Sequence, residues 1–455
     1  MSAVHPEAEQ LRRTIVESIP ADLFDNEPRH LYVSPDLRKA LDPQRPLVIG
    51  DRGTGKTFLW SALASPRGPK LLTRLFGSEY EVRAAFGAVD ANGFQRPGQD
   101  TVQLLFQQAD ARTVWKTFLL AAALDQPLEG KTWSERVRWV QQHPEASDLL
   151  LTEQDRHLQE TQRQRLIVFD AIDRDPPDWA ELVAWHRALL SILLDVQRLR
   201  ALRVKVFARR DVVEAPEVGT FPDASKLRAK EITLRWTQKE LYTLLWRYLA
   251  PSELFRRMAS AGWTIPVEIP EELKNEEAAQ RHLWHQLAGP YMGKTPQRGD
   301  TYRWLFNRLA DAYGQVSPRS FLTAVRVAAE KTPPSSATAI HFSALHEGVK
   351  EAARTRALEI AEDFPWMYQA LGALQETLVP CEREVIISAW RGANLEAAID
   401  SAQGRKQRGS GKGLDELLDE SINLHIFDLL YDGRVNVPDV FRLGFGMRRM
   451  GGVRP

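Results

Sequence analysis

The sequence predicts a mainly parallel α/β core in its first half and helical domains after it, and three observations carry that reading. From Pro46 to Trp236, short apolar runs alternate with longer helical patterns, as strands joined by crossover helices do. A glycine-rich loop sits near the start of that stretch, between an apolar run and a helical one. After Trp236 the strand signal stops and helical periodicity takes over.

The chain has 455 residues, a length that suggests roughly three domains. Lys+Arg and Asp+Glu both number 60, so the whole molecule exerts no net pull on nucleic acid or anionic membrane, and any such binding must come from a local patch. A hydrophobic fraction of 43% is enough for sizeable cores and excludes a disordered class. The densest apolar run, Phe118 to Leu124, is far short of the roughly 18 to 20 residues of a membrane span. Met1 to Gln10 carries His5, Glu7 and Glu9, unlike a signal peptide. Cys381 is the single cysteine, which excludes an internal disulfide or thiolate zinc cage and favours a reducing, cytoplasmic setting.

In order, Glu7 to Ile19 is an amphipathic stretch within a lead-in of residues 1–45. Strands are expected at Leu47–Ile49, Val82–Val89, Leu166–Phe169, Val204–Ala208 and Glu231–Leu234. Helices at Thr101–Ala123, Trp133–Gln142 and Ala146–Arg165 are inserted into the sheet or appended to it. The core domain is thus 46–236. Helices follow at Gln238–Leu249, Ser252–Ala261, Glu276–Leu287, Thr301–Ala312 and Pro318–Glu330, a second domain of 237–331. Lys331–Thr338 reads as a linker to a third domain, 332–455, with helices from Ile340–Asp363 to Leu414–Leu430 and a terminal hairpin, or wing, beyond Asp432-Gly433.

Gly50-Asp51-Arg52-Gly53-Thr54-Gly55-Lys56-Thr57 has the spacing of a P-loop, which a chain of this length matches by accident about one or two times in a hundred. Glycines let backbone N–H groups curl around phosphates, and the helix opening at Lys56-Thr57-Phe58 points its positive end at them. Lys56 supplies charge to the β/γ oxygens, and the Thr57 hydroxyl suits Mg²⁺. ATP with Mg²⁺ is the expected ligand. Leu166-Ile-Val-Phe-Asp170 then fits the Walker B role, with Asp170 as the second metal residue. Ala171 follows where many hydrolysing ATPases place a glutamate, so Asp173 is the candidate for orienting or deprotonating water, with Asp175 next. A helix cap or an ion pair with Arg174 is the plain structural alternative for Asp173.

Asp170-Ala-Ile-Asp173-Arg174 resembles the Walker B of STAND ATPases, switches related to the AAA+ class. Val204-Lys-Val-Phe-Ala-Arg209-Arg210-Asp211 is similar to the sensor 1 strand of that class and of a poorly characterised bacterial P-loop ATPase family. Val316-Ser-Pro-Arg319 resembles the start of the sensor 2 helix, and Arg434-Val-Asn-Val-Pro438 through Gly444 resembles the wing region of that family. The resemblance implies an α/β P-loop NTPase core, a helical lid over 237–331 and a C-terminal winged-helix-like domain, a layout shared with origin-recognition initiators. It implies catalytic roles for Lys56, Asp170, Asp173, Arg209 and Arg319; solvent-facing or capping roles are the alternatives for the two arginines. The long separation of Lys56 from Asp170 and the missing glutamate depart from the pattern.

His282 and His285 lie three apart without a carboxylate or cysteine set to close a metal site. The tryptophans sit at helical spacing, as core residues do. The tail is basic: Arg405, Lys406, Arg408 and Lys412 lie in a glycine-rich loop, and Arg442, Arg448 and Arg449 follow. In a winged-helix setting these would contact duplex phosphates; a solvated loop or protein docking surface is the alternative. Three functions stay open: a Mg²⁺-dependent ATPase switch or assembly motor working as a homo-oligomer or with a partner effector, an ATP-licensed binder of double-stranded DNA, and a scaffold that holds nucleotide without hydrolysing it. Family analogy adds antiviral defence to the first, and no membrane role is expected.

Overall fold

The computed structural model describes residues 6–21, 32–87, 90, 94–219, 221–259, 269–362, 364–401 and 413–449. They fall into two compact units, divided between Arg235 and Trp236, with the N-terminal helix belonging to the second.

The first unit is built on five strands, β1 (Leu47–Gly50), β2 (Glu81–Phe86), β3 (Arg165–Phe169), β4 (Leu202–Arg209) and β5 (Ile232–Thr233). Their order is β2-β3-β4-β1-β5 and every pairing is parallel. β1 and β3 are buried along their whole length, which is why they read as unbroken apolar runs. Alternate residues take opposite faces. Leu47, Ile49, Ile167, Phe169, Val204 and Val206 join one core with the helices Ala111–Ala123 and Trp179–Asp195. Val48, Leu166, Val168 and Phe207, equally buried, turn the other way.

The helices between β2 and β3 share the sheet's core. Trp115 and Phe118 stand edge-on to Phe86 at 5.2 and 5.3 Å between ring centres, and Phe106 stacks on Trp185 at 3.4 Å. The stretch read as one helix over Thr101–Ala123 is two, Gln99–Gln108 and Ala111–Ala123, because Asp110 caps the second by accepting from the Thr113 N–H. The third helix is Pro144–Glu160; it starts at a proline suited to a first turn and stops before Gln162, which is left-handed at φ 53°. Arg165 therefore opens β3. Asp155 on that helix accepts the backbone N–H groups of Arg200, Ala201 and Leu202 and so pins the start of β4.

In the second unit, Pro6–Ser18 packs on Gln238–Leu249 and Pro318–Lys331. Phe342–Ala361 lies so close to Pro318–Lys331 that a Cβ on Gly348 would stand 2.2 Å from the Ala324 carbonyl oxygen. The stretch read as a linker is thus a helix end and a turn between two closely packed helices. Tyr242, Tyr302 and Gln280 form a buried chain of hydrogen bonds nearby. The helix read as Leu414–Leu430 ends at Asn423, since His425 takes φ 58°. An antiparallel hairpin follows, Asp428–Leu429 with Val435–Asn436, and Gly433 supplies the φ of 83° that its turn requires. Asp439–Arg442, within the stretch read as the terminal hairpin or wing, is a helical turn. Trp390 and Phe427 anchor the core here. Among the described residues no helix is long and apolar enough to cross a membrane.

Candidate nucleotide-binding site

Because β4 lies between β1 and β3, the strand order brings the carboxyl ends of all three side by side, the edge at which open parallel sheets bind ligands. Gly50 pairs with Arg209 in register, and Asp170 follows directly on Phe169, the partner of Val206. The loop after β1 reverses through Gly53 and Gly55, at φ 76° and 100°, and runs into the helix Lys56–Ala64. Gly50 is required for close approach: a Cβ there would meet Thr54 Oγ1 at 2.6 Å. The half-buried Lys56 folds back on its own loop, its Nζ donating to the carbonyls of Gly50 at 2.8 Å and Asp51 at 2.9 Å. Burial lowers its pKa while Asp173, Asp170 and Asp51 oppose that shift. Asp51, Arg52, Gly53 and Thr57 are partly exposed around the loop, Thr54 is buried and bonds the Asp51 carbonyl, and Phe58 is half-buried on the first turn.

Asp170 is 2% exposed. Burial pushes its carboxyl up to about 6, against hydrogen bonds from Thr57 and from the Ala171 N–H and the charge of Lys56. Its Oδ2 has no hydrogen-bond partner among the described residues. Ala171 itself is left-handed at φ 57°, a strained turn directly after the aspartate. An orphaned, buried carboxylate oxygen beside a hydroxyl, at the mouth of a glycine cradle, fits a divalent cation carried by a phosphate.

Two arginines tie the three strand ends together. Arg209, 5% exposed, bonds Asp211 through Nε at 3.0 Å and Nη2 at 2.6 Å, and its Nη1 stands 3.4 Å from Asp173 Oδ2. Arg210 reaches the loop itself, 3.1 Å from Asp51. Burial would raise the Asp173 carboxyl, but Arg209, Arg52, Lys56 and His186 outweigh it and hold the group at about 2. A carboxylate so held is a weak proton acceptor, suited to orienting water more than to deprotonating it. Asp175, the next candidate, is locked in a buried ion pair with Arg96 at 2.6 Å and is structural.

The remaining residues divide. Arg319 lies in the helical unit, where its Nη1 bonds Glu359 at 2.5 Å. Arg442 is removed from the phosphate-contacting set: it is fully buried, bonded to Asp439 at 2.6 Å and to the Met447 carbonyl, and Asp439 also takes Arg308. Arg448 is exposed and pairs with Glu376, and Arg449 stands 3.5 Å from Asp439. Arg405, Lys406, Arg408 and Lys412 lie outside the described residues. His285 bonds Asp300 at 2.9 Å, and no group of three metal-ligating side chains occurs among the described residues. Sequence reasoning missed His186, which is buried and feels the charge of Asp173; its one signal was a polar residue on the apolar stripe of Leu182, Leu189 and Leu193.

No family model matches the chain, and no curated protein matches it. Among solved structures it is similar to the ORC2 protein of Aeropyrum pernix in ADPNP–ADP complexes, at 14% identity and a TM-score of 0.30 over 96% of this chain and 93% of that one. CDC6P of Pyrobaculum aerophilum gives 13% and 0.29, over 95% of each chain. The A. pernix ORC1 protein in complex with DNA gives 13% and 0.35, again over 95% of each. Likeness this distant carries no argument here; the reading rests on the geometry of this chain.

Proposed function

We propose that the chain is a Mg²⁺-dependent ATP-binding and hydrolysing P-loop ATPase of the AAA+ type, working as a switch or assembly ATPase. The observation that carries this is the buried Asp170 carboxylate, one oxygen bonded and the other orphaned, beside Thr57 at the mouth of the loop. Thr57 and Asp170 would hold the metal, which supplies charge neutralisation for the transferring phosphoryl group. Lys56 exchanges two backbone carbonyls for phosphate oxygens, and the loop N–H groups cradle the phosphates. Asp173 orients the water. Arg209 answers to the γ-phosphate in cis or reaches a neighbouring subunit's nucleotide, the latter requiring an oligomer. For Arg319 to act on nucleotide it must first leave Glu359.

With Ala171 in place of a glutamate and Asp173 a weak base, turnover by the chain alone is slow, about 1 per second or below. A partner effector or oligomer completes the output. No feature among the described residues supports a role in antiviral defence.

ATP-licensed binding of double-stranded DNA is the second reading. It is favoured by the arrangement at the C-terminus: the helices Pro365–Gly372, Arg383–Gly392, Leu395–Ser401 and Leu414–Asn423, then a hairpin whose Val435 also bridges Cys381, a helices-then-hairpin order like that of a winged helix with one helix added. The last helix, however, exposes Asp415, Glu416 and Asp419, which repel phosphate, so duplex contact must rest on the exposed cations outside it. ATPase rate measured alone, with duplex DNA and with candidate protein partners separates the readings. DNA stimulation selects the loader, stimulation by a protein the switch, and ATP binding without turnover in every mixture a scaffold.

A further inference from the structure

The parallel register of Gly50 with Arg209 brings the next residue of each strand alongside the other: Asp51 opens the glycine loop as Arg210 opens the helical turn Arg210–Val213. There Arg210 Nη2 stands 3.1 Å from Asp51 Oδ2, the arginine side chain being 10% exposed and the aspartate 25%. The neighbouring Arg209 turns to other partners, Asp211 and Asp173. Asp51 is the single acid among residues 50–57. Its backbone carbonyl takes Lys56 Nζ at 2.9 Å and the Thr54 hydroxyl at 2.7 Å, so its position sets the limb of the loop on which the phosphate-binding cation rests.

A carboxylate in this place works against a site that takes a polyanion. In the free protein it is useful: burial lowers the Lys56 pKa, and Asp51 is among the acids that oppose the shift. When phosphates enter, the same carboxylate repels them from a partly buried loop, where charge is poorly screened. Other charges nearby do not relieve it. Glu214 caps the helical turn that Arg210 opens; its carboxyl is raised by burial, lowered by Arg210 and raised again by Asp51, so it adds negative charge at the same place. Lys56 is the cation that the phosphates themselves engage, and Arg52 acts on Asp173. Arg210 comes from the sheet and not from the loop, so its charge holds its place when Lys56 turns to phosphate.

We propose that Arg210 is a positioning residue for nucleotide binding: its ion pair with Asp51 neutralises the one carboxylate of the phosphate loop and ties that loop to the end of β4, which makes the cradle fit for a polyanion. This rests on the nucleotide reading above. The role is conditional on Asp51. An arginine that bound phosphate itself, or that only held the fold, would be needed whatever residue stood at position 51; an arginine that acts through the aspartate becomes dispensable once the aspartate is gone.

The test is calorimetric titration of a non-hydrolysable ATP analogue with Mg²⁺ into four versions of the full chain: the parent, Arg210→Gln, Asp51→Asn and the double variant. Arg210→Gln should weaken binding about ten-fold in the parent, where it strands Asp51, and less than about two-fold in the Asp51→Asn background. Arg210→Lys, which keeps the charge, should bind within about three-fold of the parent. In turnover the loss should appear in KM and not in kcat. Parental affinity in Arg210→Gln overturns the role. An equal loss in both backgrounds also overturns it, because Arg210 then acts on the nucleotide or the fold directly, and so does a fall in kcat with KM unmoved, which would place Arg210 on the transferring phosphoryl group. If Arg210→Gln does not fold, Arg210→Met replaces it in both backgrounds, and failure of that variant as well assigns Arg210 to the fold and overturns the role. A folded parent that does not bind the analogue overturns the nucleotide reading itself.

Discussion

The two ends of β3 carry charge clusters of opposite design. At its start, Arg165 is fully buried and its guanidinium bonds Glu81 at 2.7 Å and Asp125 at 2.5 Å, both of which also pair with Arg83. Burial raises Asp125, but the hydrogen bonds from Arg165 and Gln154 and the charge of Arg165 bring it down to about 2. At the strand's other end, Asp170 is buried with one oxygen orphaned among the described residues and its carboxyl raised to about 6, while Lys56 bonds two backbone carbonyls. The first cluster is complete in itself and serves stability. The second is incomplete without a ligand, and a site that keeps an unsatisfied charge does so at a cost in stability.

Neutralising the complete cluster should have the largest effect on the fold. The double variant Glu81→Gln, Asp125→Asn strands Arg165 in the interior and should destabilise the α/β unit by about 3–5 kcal/mol in urea unfolding. A loss below about 1 kcal/mol would break the contrast between the two ends.

Asp170→Asn should do the reverse, crippling hydrolysis while leaving unfolding free energy equal or higher. A shift from the ordinary 3.8 to about 6 corresponds to about 3 kcal/mol of penalty for the ionised form near pH 7. A variant that is both inactive and markedly less stable would place Asp170 with the structural residues.

The two carboxylates also give opposite dependences on pH. Between 3.8 and about 6 folded Asp170 keeps a proton that the unfolded chain has lost, so its contribution is full below 3.8 and disappears as pH rises through 6. Asp125 contributes above 3.8 and loses that contribution as pH falls through about 2. Metal-dependent nucleotide affinity, which needs ionised Asp170, should therefore weaken as pH drops below about 6. Calorimetric titrations at pH 5 and 7.5 showing equal affinity would remove Asp170 from the metal site.

The smallest effect is expected at Asp173. Asp173→Asn should slow turnover while ATP stays bound, and an unchanged rate under single-turnover conditions would deny it the water-orienting role.

Much of this contrast was legible in the residues, but not all. The loop from Gly50 to Thr57 and the apolar strands around it were visible because glycine spacing and unbroken burial each leave a local pattern. Asp170 was visible because it ends such a strand. Strand order was not: nothing local in Val204–Ala208 shows that β4 separates β1 from β3, although that placement joins Arg209 and Arg210 to the loop. The break at Asp110 depends on one cap within a continuous helical pattern. Arg442 read as a surface cation because charge alone does not disclose that Asp439 and Met447 enclose it. His186 was hidden because the charges that act on it, Asp173, Arg209 and Asp211, lie outside its own helix.

The most direct test of the central claim is calorimetric titration of ATP with Mg²⁺ into the parent and into Lys56→Ala. The variant keeps the glycine cradle but loses the cation that now rests on Gly50 and Asp51. The account predicts saturable binding by the parent and loss of at least about a hundred-fold in affinity, some 2.7 kcal/mol, in the variant. Tight binding by Lys56→Ala, or none by the folded parent, would contradict it.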